Sequence, residues 1–247
     1  MRTFFFLFFL LISSTYTFAQ EQVYELRTYE LEFFRSGDVL HNYLKDALIP
    51  ALNRQGIDPI GAFEETIESL PKKIYVLIPY KNIQTFLDSK ELIEKDQKFL
   101  TDAKEYINAS ETIIPFNNYT TNLIKSSKGF PEIKVPNENA QLFELRIYNS
   151  HNEDALRRKV KMFDDSEFGI FEDVDLPMVF FGSDIAGTHM PSLTYLLAFK
   201  DIDHHKQAWS KFGQHPEWIR ITKLEEYANA MNDITRVFLK PLSYSQL

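Results

Sequence analysis

The 247-residue chain has no cysteine. That excludes disulfides, a lipid-anchored cysteine, thiol catalysis and thiolate metal ligands. The core therefore has to stabilise the protein without covalent help, even in an oxidising compartment. Positive charge is also scarce: 27 Lys and Arg stand against 35 Asp and Glu, a formal net charge of −8, and no basic stripe interrupts that balance. Such a surface repels phosphate backbones, so nucleic acid is excluded as a partner. Beyond Ile12 no apolar run approaches the roughly 20 residues of a spanning helix, and the mature chain is expected to carry no membrane span.

Several catalytic patterns are missing too. No two histidines recur at i and i+4, the spacing that puts two zinc ligands on one helix face, and the adjacent His204 and His205 point about 100° apart on a helix. His189 falls in a loop and His215, next to Pro216, reads as a helix cap. No metal and no cofactor are expected. No serine has glycine at both flanking offsets, which removes the hydrolase nucleophile elbow. Gly182 to Gly187 lacks the spacing of a phosphate cradle and reads as a hairpin loop.

What is present begins with a leader. Arg2 supplies charge, Phe4 to Ile12 is an unbroken apolar run, and Thr17-Phe18-Ala19 offers small residues at the cleavage positions. This is the pattern of a signal peptide over residues 1–19, and it predicts an exported protein, periplasmic or secreted. Loss of Arg2 makes the mature chain one unit more negative. Hydrophobic residues at 44% and charged residues at 25% place the remainder among ordinary globular proteins.

The strongest signal is an internal repeat. Tyr24-Glu25-Leu26-Arg27-Thr28-Tyr29 aligns with Phe143-Glu144-Leu145-Arg146-Ile147-Tyr148 at an offset of 119, and the same offset aligns Tyr80-Lys81-Asn82-Ile83 with Phe199-Lys200-Asp201-Ile202 and Phe99 with Trp218. Towards the end the register drifts by four, matching Leu123-Ile124-Lys125 to Phe238-Leu239-Lys240. Each unit reads as strand, helix, strand, strand, helix, strand. Val23 to Leu31 and Leu142 to Tyr148 alternate as strands. A helix starts at Ser36 or Gly37 and closes at Gly56, with Pro50 predicted to kink or end it near Ile49. Further strands are expected at 60–63, 74–78, 119–125, 178–181, 193–199 and 235–239. Helical stretches are expected at 84–108, broken near Asp96, and at 204–230, where Trp209, Phe212 and Trp218 serve as core or interface anchors. The boundaries that follow are a first repeat at 20–125, a linker at 126–140 rich in Pro, Gly and Asn, and a second repeat at 141–247.

These residues resemble the NIPSNAP family. The opening Tyr/Phe-Glu-Leu-Arg-x-Tyr, Leu48-Ile49-Pro50 with Gly56-Ile57-x-Pro59-Ile60-Gly61, Tyr80-Lys81, His215-Pro216-Glu217-Trp218 and Leu239-Lys240-Pro241-Leu242-Ser243 carry the likeness. The resemblance implies an α+β fold, ferredoxin-like and of the dimeric α+β barrel type. Two four-stranded antiparallel sheets would face each other around an interior, with helices outside and both halves in one chain. The second repeat departs at the end of its first helix, where Phe168 to Asp175 replaces the Leu-Pro and Gly. If the protein is an enzyme, barrels of this type suggest cofactor-free oxygenase, isomerase or lyase chemistry.

Strand parity supplies the site candidates. Glu25, Arg27 and Tyr29 share one face of their strand, and Glu144, Arg146 and Tyr148 the matching face of theirs. The apolar alternates Phe143, Leu145 and Ile147 are expected to pack on helices, which sends both Glu-Arg-Tyr sets into the barrel interior. There they either line a pocket for a small-molecule ligand or form structural ion pairs inside a filled barrel. The first alternative makes the protein a small-molecule binder; the second makes it a scaffold or interaction module. A homo-oligomer is compatible with both.

Overall fold

A computed structural model describes residues 21–67 and 70–247; the leader expected at 1–19 lies outside the described residues. The eight strands are β1 (Val23–Leu31), β2 (Gly61–Glu65), β3 (Lys72–Tyr80), β4 (Tyr119–Ser126), β5 (Leu142–Asn149), β6 (Met178–Ala186), β7 (Ser192–Phe199) and β8 (Asp233–Pro241). They close into one antiparallel barrel in the order β1-β3-β2-β8-β5-β7-β6-β4. Each repeat thus contributes four strands, and two seams join the halves, β2 on β8 and β4 on β6. Neither half is left with an open sheet edge, which is the physical gain of closure.

The helices keep the offset of the sequence repeat. In the first repeat α1 (Asp38–Asn42), a π-helical turn (Tyr43–Leu48) and α2 (Ile49–Arg54) form one continuous helix. In the second, α6 (Glu153–Met162), a π turn (Phe163–Glu167) and α7 (Phe168–Asp173) do the same. The second helical layer is α3 (Ile83–Lys95), α4 (Gln97–Asp102) and α5 (Lys104–Ile107), matched by α8 (Ile202–Gln214), α9 (Pro216–Ile221) and a short 3-10 turn (Glu225–Tyr227). The break expected at Asp96 is a capping event: its carboxylate accepts from the backbone N–H groups of Lys98 and Phe99. Pro50 does not end its helix. The chain stays helical to Arg54, and the wide turn lies just ahead of the proline; the second repeat has a π turn at the same place with Gly169 instead of proline, so proline is not its cause.

The barrel interior is filled from both halves. Tyr24, Leu26, Phe63, Tyr75, Leu77 and Ile124 meet Phe143, Leu145, Val179, Phe180, Leu196, Ala198 and Leu239. Tyr24 and Phe180 stand 5.1 Å apart by ring centroids, and Phe63 and Phe143 4.9 Å apart, so aromatic contacts cross between repeats. Burying each such ring is worth about 1.5–3 kcal/mol. Two further clusters lie outside the barrel, one under each repeat's helices.

Residues 127–141 form no helix or strand, yet they are held down. Phe130 is buried under the second repeat, Lys134 donates its backbone N–H to Val179 O at 2.8 Å, and Ile133 and Ala140 pack against the interior cluster. The hairpin loop expected over Gly182 to Gly187 is instead strand as far as Ala186. Gly182 is required there, because a Cβ would collide with the backbone carbonyl of Lys125 across the β4–β6 seam.

Candidate functional site

The Glu-Arg-Tyr sets stay on one face each, as parity requires, but that face is the outer one. Tyr29 belongs to the apolar cluster under the first repeat's helices and Tyr148 to that under the second's, while Tyr24, Leu26, Phe143 and Leu145 fill the barrel. The inward direction expected for Glu25, Arg27, Tyr29, Glu144, Arg146 and Tyr148 is therefore corrected. The physical reason is that the apolar alternates of the two halves pack against each other across the barrel, while on the outer face the Glu and Arg side chains find hydrogen-bond partners on neighbouring strands and on α8.

In the first repeat the network is closed. Glu25 accepts from Arg27 Nε at 2.7 Å and Nη2 at 3.0 Å, from the Tyr80 hydroxyl at 3.0 Å and from the Thr121 hydroxyl at 3.2 Å. Burial opposes its ionisation, but the Arg27 charge and these hydrogen bonds outweigh it and hold the carboxyl below its ordinary range. The positions around it are apolar: Leu40, Leu48, Val76 and Phe86. This is a structural ion pair with every carboxylate lone pair engaged.

In the second repeat Glu144 accepts from Arg146 Nη1 at 3.0 Å, from His205 Nε2 at 3.1 Å and from Trp209 Nε1 at 2.9 Å. Tyr148 and Tyr195 share a hydroxyl–hydroxyl bond of 2.7 Å. Beneath α6 and its π turn, Lys159 and Glu167 form a buried ion pair, and the Lys159 ammonium lies 4.8 Å from the Phe163 ring. Burial pushes the Glu167 carboxyl upward despite that partner, and it pushes both tyrosine hydroxyls upward. Two nitrogens in the cluster, Arg146 Nε and His205 Nδ1, are buried without a hydrogen-bond partner.

At the offset of 119, Lys159, Glu167, Tyr195 and His205 occupy the places of Leu40, Leu48, Val76 and Phe86. One scaffold thus holds an apolar layer in one half and a titratable one in the other. Sequence reasoning missed these four residues, although the register that exposes them was readable: each is a polar residue at a position apolar in its duplicate. His204 points away, its Nε2 3.0 Å from a carboxylate oxygen of Asp175, and His215 caps α9 through Nδ1. Among the described residues no group of three or more His, Asp or Glu side chains stands close enough to hold a metal ion.

Four clefts of the described residues have no member of either Glu-Arg-Tyr set in their walls. Two adjoin where residues 129–140 cross the second repeat, with volumes of about 280 and 440 Å³ and with Asn137 and Pro177 common to both. Phe171 walls the first and packs on Trp209 at 6.0 Å; Phe199 walls the second and packs on His205 at 4.9 Å. One aromatic layer separates these clefts from the polar cluster.

The fold is shared with known structures. A candidate monooxygenase from Fusobacterium nucleatum aligns over 90% of this chain and 93% of its own at 14% identity, with a TM-score of 0.56. A second candidate monooxygenase, from Lactobacillus acidophilus, aligns over 90% and 94% at 11% identity, with a TM-score of 0.58. An uncharacterised NIPSNAP-like domain protein from Burkholderia xenovorans aligns over 44% of this chain and 90% of its own at 17% identity, with a TM-score of 0.38. No functionally curated protein matches the sequence. The NIPSNAP family model matches twice, at residues 24–127 and 143–246. The chain belongs to the NIPSNAP family, with one family domain in each half of the barrel.

Proposed function

We propose that the protein binds a small molecule in its second repeat, in the layer between the barrel wall and the covering helices, and that the first repeat is the structural counterpart. The observation that carries this reading is the asymmetry of the duplicated positions. A buried ion pair such as Lys159–Glu167 is often neutral or worse for stability, by about 1–4 kcal/mol, compared with well-packed hydrophobic residues, and the first repeat packs the same positions with Leu40 and Leu48. A polar layer that the fold does not need for stability is therefore read as serving a ligand. The filled interior counts against the barrel centre as the site.

Export belongs to the same proposal, since the leader pattern calls for a mature chain beginning near Gln20. Protein purified from its natural exported state is to be N-terminally sequenced, and its bound small molecules released and measured by mass spectrometry. The expected result is a compound retained by the wild type and lost from Lys159→Leu/Glu167→Leu, with the double variant folded and its unfolding midpoint unchanged or raised. Equal retention by the double variant sinks the assignment.

A second reading, a protein-interaction module, draws on a different surface. Phe33, Phe34, Ile67 and Leu70 are all exposed, and Phe33 and Leu70 line one cleft. Exposed apolar side chains gathered in this way mark contact surfaces. Serine at all four positions would leave small-molecule binding intact and abolish partner capture.

A further inference from the structure

The polar cluster adjoins β8, where the cross-strand pairing brings two arginines together. Arg146 lies directly opposite Arg236, and residues directly opposed in an antiparallel pair project from the same face. Like charges in that arrangement destabilise the pair. The first repeat avoids the problem: its Arg27 is opposite Thr121, whose hydroxyl serves Glu25. In the second repeat the nearby carboxylate, Glu144, is already shared among Arg146, His205 and Trp209. The Arg236 side chain is exposed and makes no hydrogen bond or ion pair among the described residues. Arg146 is only 7% exposed, and its Nε has no partner.

The surroundings of this arginine pair, which has the single carboxylate of Glu144 beside it, are aromatic. The Arg146 guanidinium lies over the Trp209 ring, 4.3 Å from its centroid. Phe238, opposite Glu144, presents its ring 5.1 Å from that of His205. A guanidinium fork matches the two oxygens of a carboxylate, and Trp and Phe offer flat apolar surface beside it.

We propose that the outer face of β5 and β8 beside α8 is an oxyanion site and that its ligand is a small aromatic carboxylate, held by Arg146 and Arg236 with its ring against Trp209 and Phe238. This rests on the second repeat being the ligand-binding one. A hydrated inorganic phosphate would satisfy the charges and leave the aromatic walls unused.

The test uses the mature full-length chain with benzoate, phenylacetate and 4-hydroxybenzoate, the matched neutral alcohols, and inorganic phosphate, each read by the shift in unfolding midpoint and, for the non-absorbing compounds, by tryptophan fluorescence. The variants are Arg236→Thr, which installs the residue of the first repeat, and Arg236→Lys. At least one carboxylate is expected to raise the midpoint and perturb the fluorescence, its alcohol is not, and Arg236→Thr is expected to weaken the carboxylate at least tenfold while Arg236→Lys retains part of the affinity. Without ligand, Arg236→Thr is expected to be no less stable than the wild type; a marked loss of stability would assign Arg236 a structural role and overturn the proposal. Equal carboxylate binding by wild type and Arg236→Thr, stabilisation by phosphate alone, or no stabilisation by any carboxylate also overturns it. If the alcohols bind and Lys159→Leu/Glu167→Leu abolishes that binding, the second-repeat site stands and only the oxyanion assignment fails. If ligands bind with no dependence on either set of residues, both fail.

Discussion

Asp184 is an acidic side chain buried on the inner face of the barrel, and only 4% of it is exposed. It accepts hydrogen bonds from Ser192 at 2.5 Å and Thr194 at 3.1 Å, with Asn122 at 3.4 Å. Burial pushes its carboxyl from 3.8 up to about 6, against these hydrogen bonds. A raised carboxyl binds its proton more tightly in the folded chain than in the unfolded one. Stability is therefore expected to fall as pH rises from about 4 through about 6 and then to level off, with a full effect of about 3 kcal/mol. Urea unfolding between pH 4 and 8 should show this for the wild type, and Asp184→Asn should flatten the profile and be the more stable protein at pH 7. If the two profiles coincide, burial does not govern this group.

The two seams decide how much individual elements matter. At the β4–β6 seam the backbones approach so closely at Gly182 that a methyl group has nowhere to go, since the nearest atom is a carbonyl oxygen of the neighbouring strand. Gly182→Ala is expected to cost 2 kcal/mol or more, about the size of other overpacked core substitutions. At Gly169, where a Cβ meets nothing within 4 Å, alanine should be neutral or slightly stabilising. Unfolding midpoints of the two variants check the contrast. The seam was not legible beforehand, because Gly182 to Gly187 has the composition of a hairpin and its first residues are strand through pairing with β7 on one side and β4 on the other. The element order, by contrast, was legible. The break near Asp96 was readable and proves to be a side-chain cap, and the shared offset carried each assignment from one repeat to the other. Membership of the Glu-Arg-Tyr faces followed from alternation alone. Their direction did not: β1 and β5 are buried on both faces, so an apolar alternate set cannot say whether it meets helices or the opposite half of a barrel.

At the scale of the molecule, two domains that share one interior do not behave as two domains in series. The ring contacts between Tyr24 and Phe180 and between Phe63 and Phe143 exist only when the halves are together, and a separated half would expose its inner face and two unpaired strand edges, β2 and β4 in the first repeat. An isolated half can bury that face only against another half. The fragment 20–125 is therefore expected to associate with itself or precipitate, and to form a soluble complex when co-expressed with 141–247, because the seams β2–β8 and β4–β6 re-form without a covalent link. The intact chain should unfold in urea in a single transition with coincident fluorescence and circular dichroism midpoints, although its two tryptophans lie in the second repeat alone. Sedimentation of the fragments decides the matter. A monomeric, cooperatively folded 20–125 would mean that each half is stable by itself and that the barrel is a docking of finished domains, in which case the polar layer of the second repeat would have to be explained without reference to its partner.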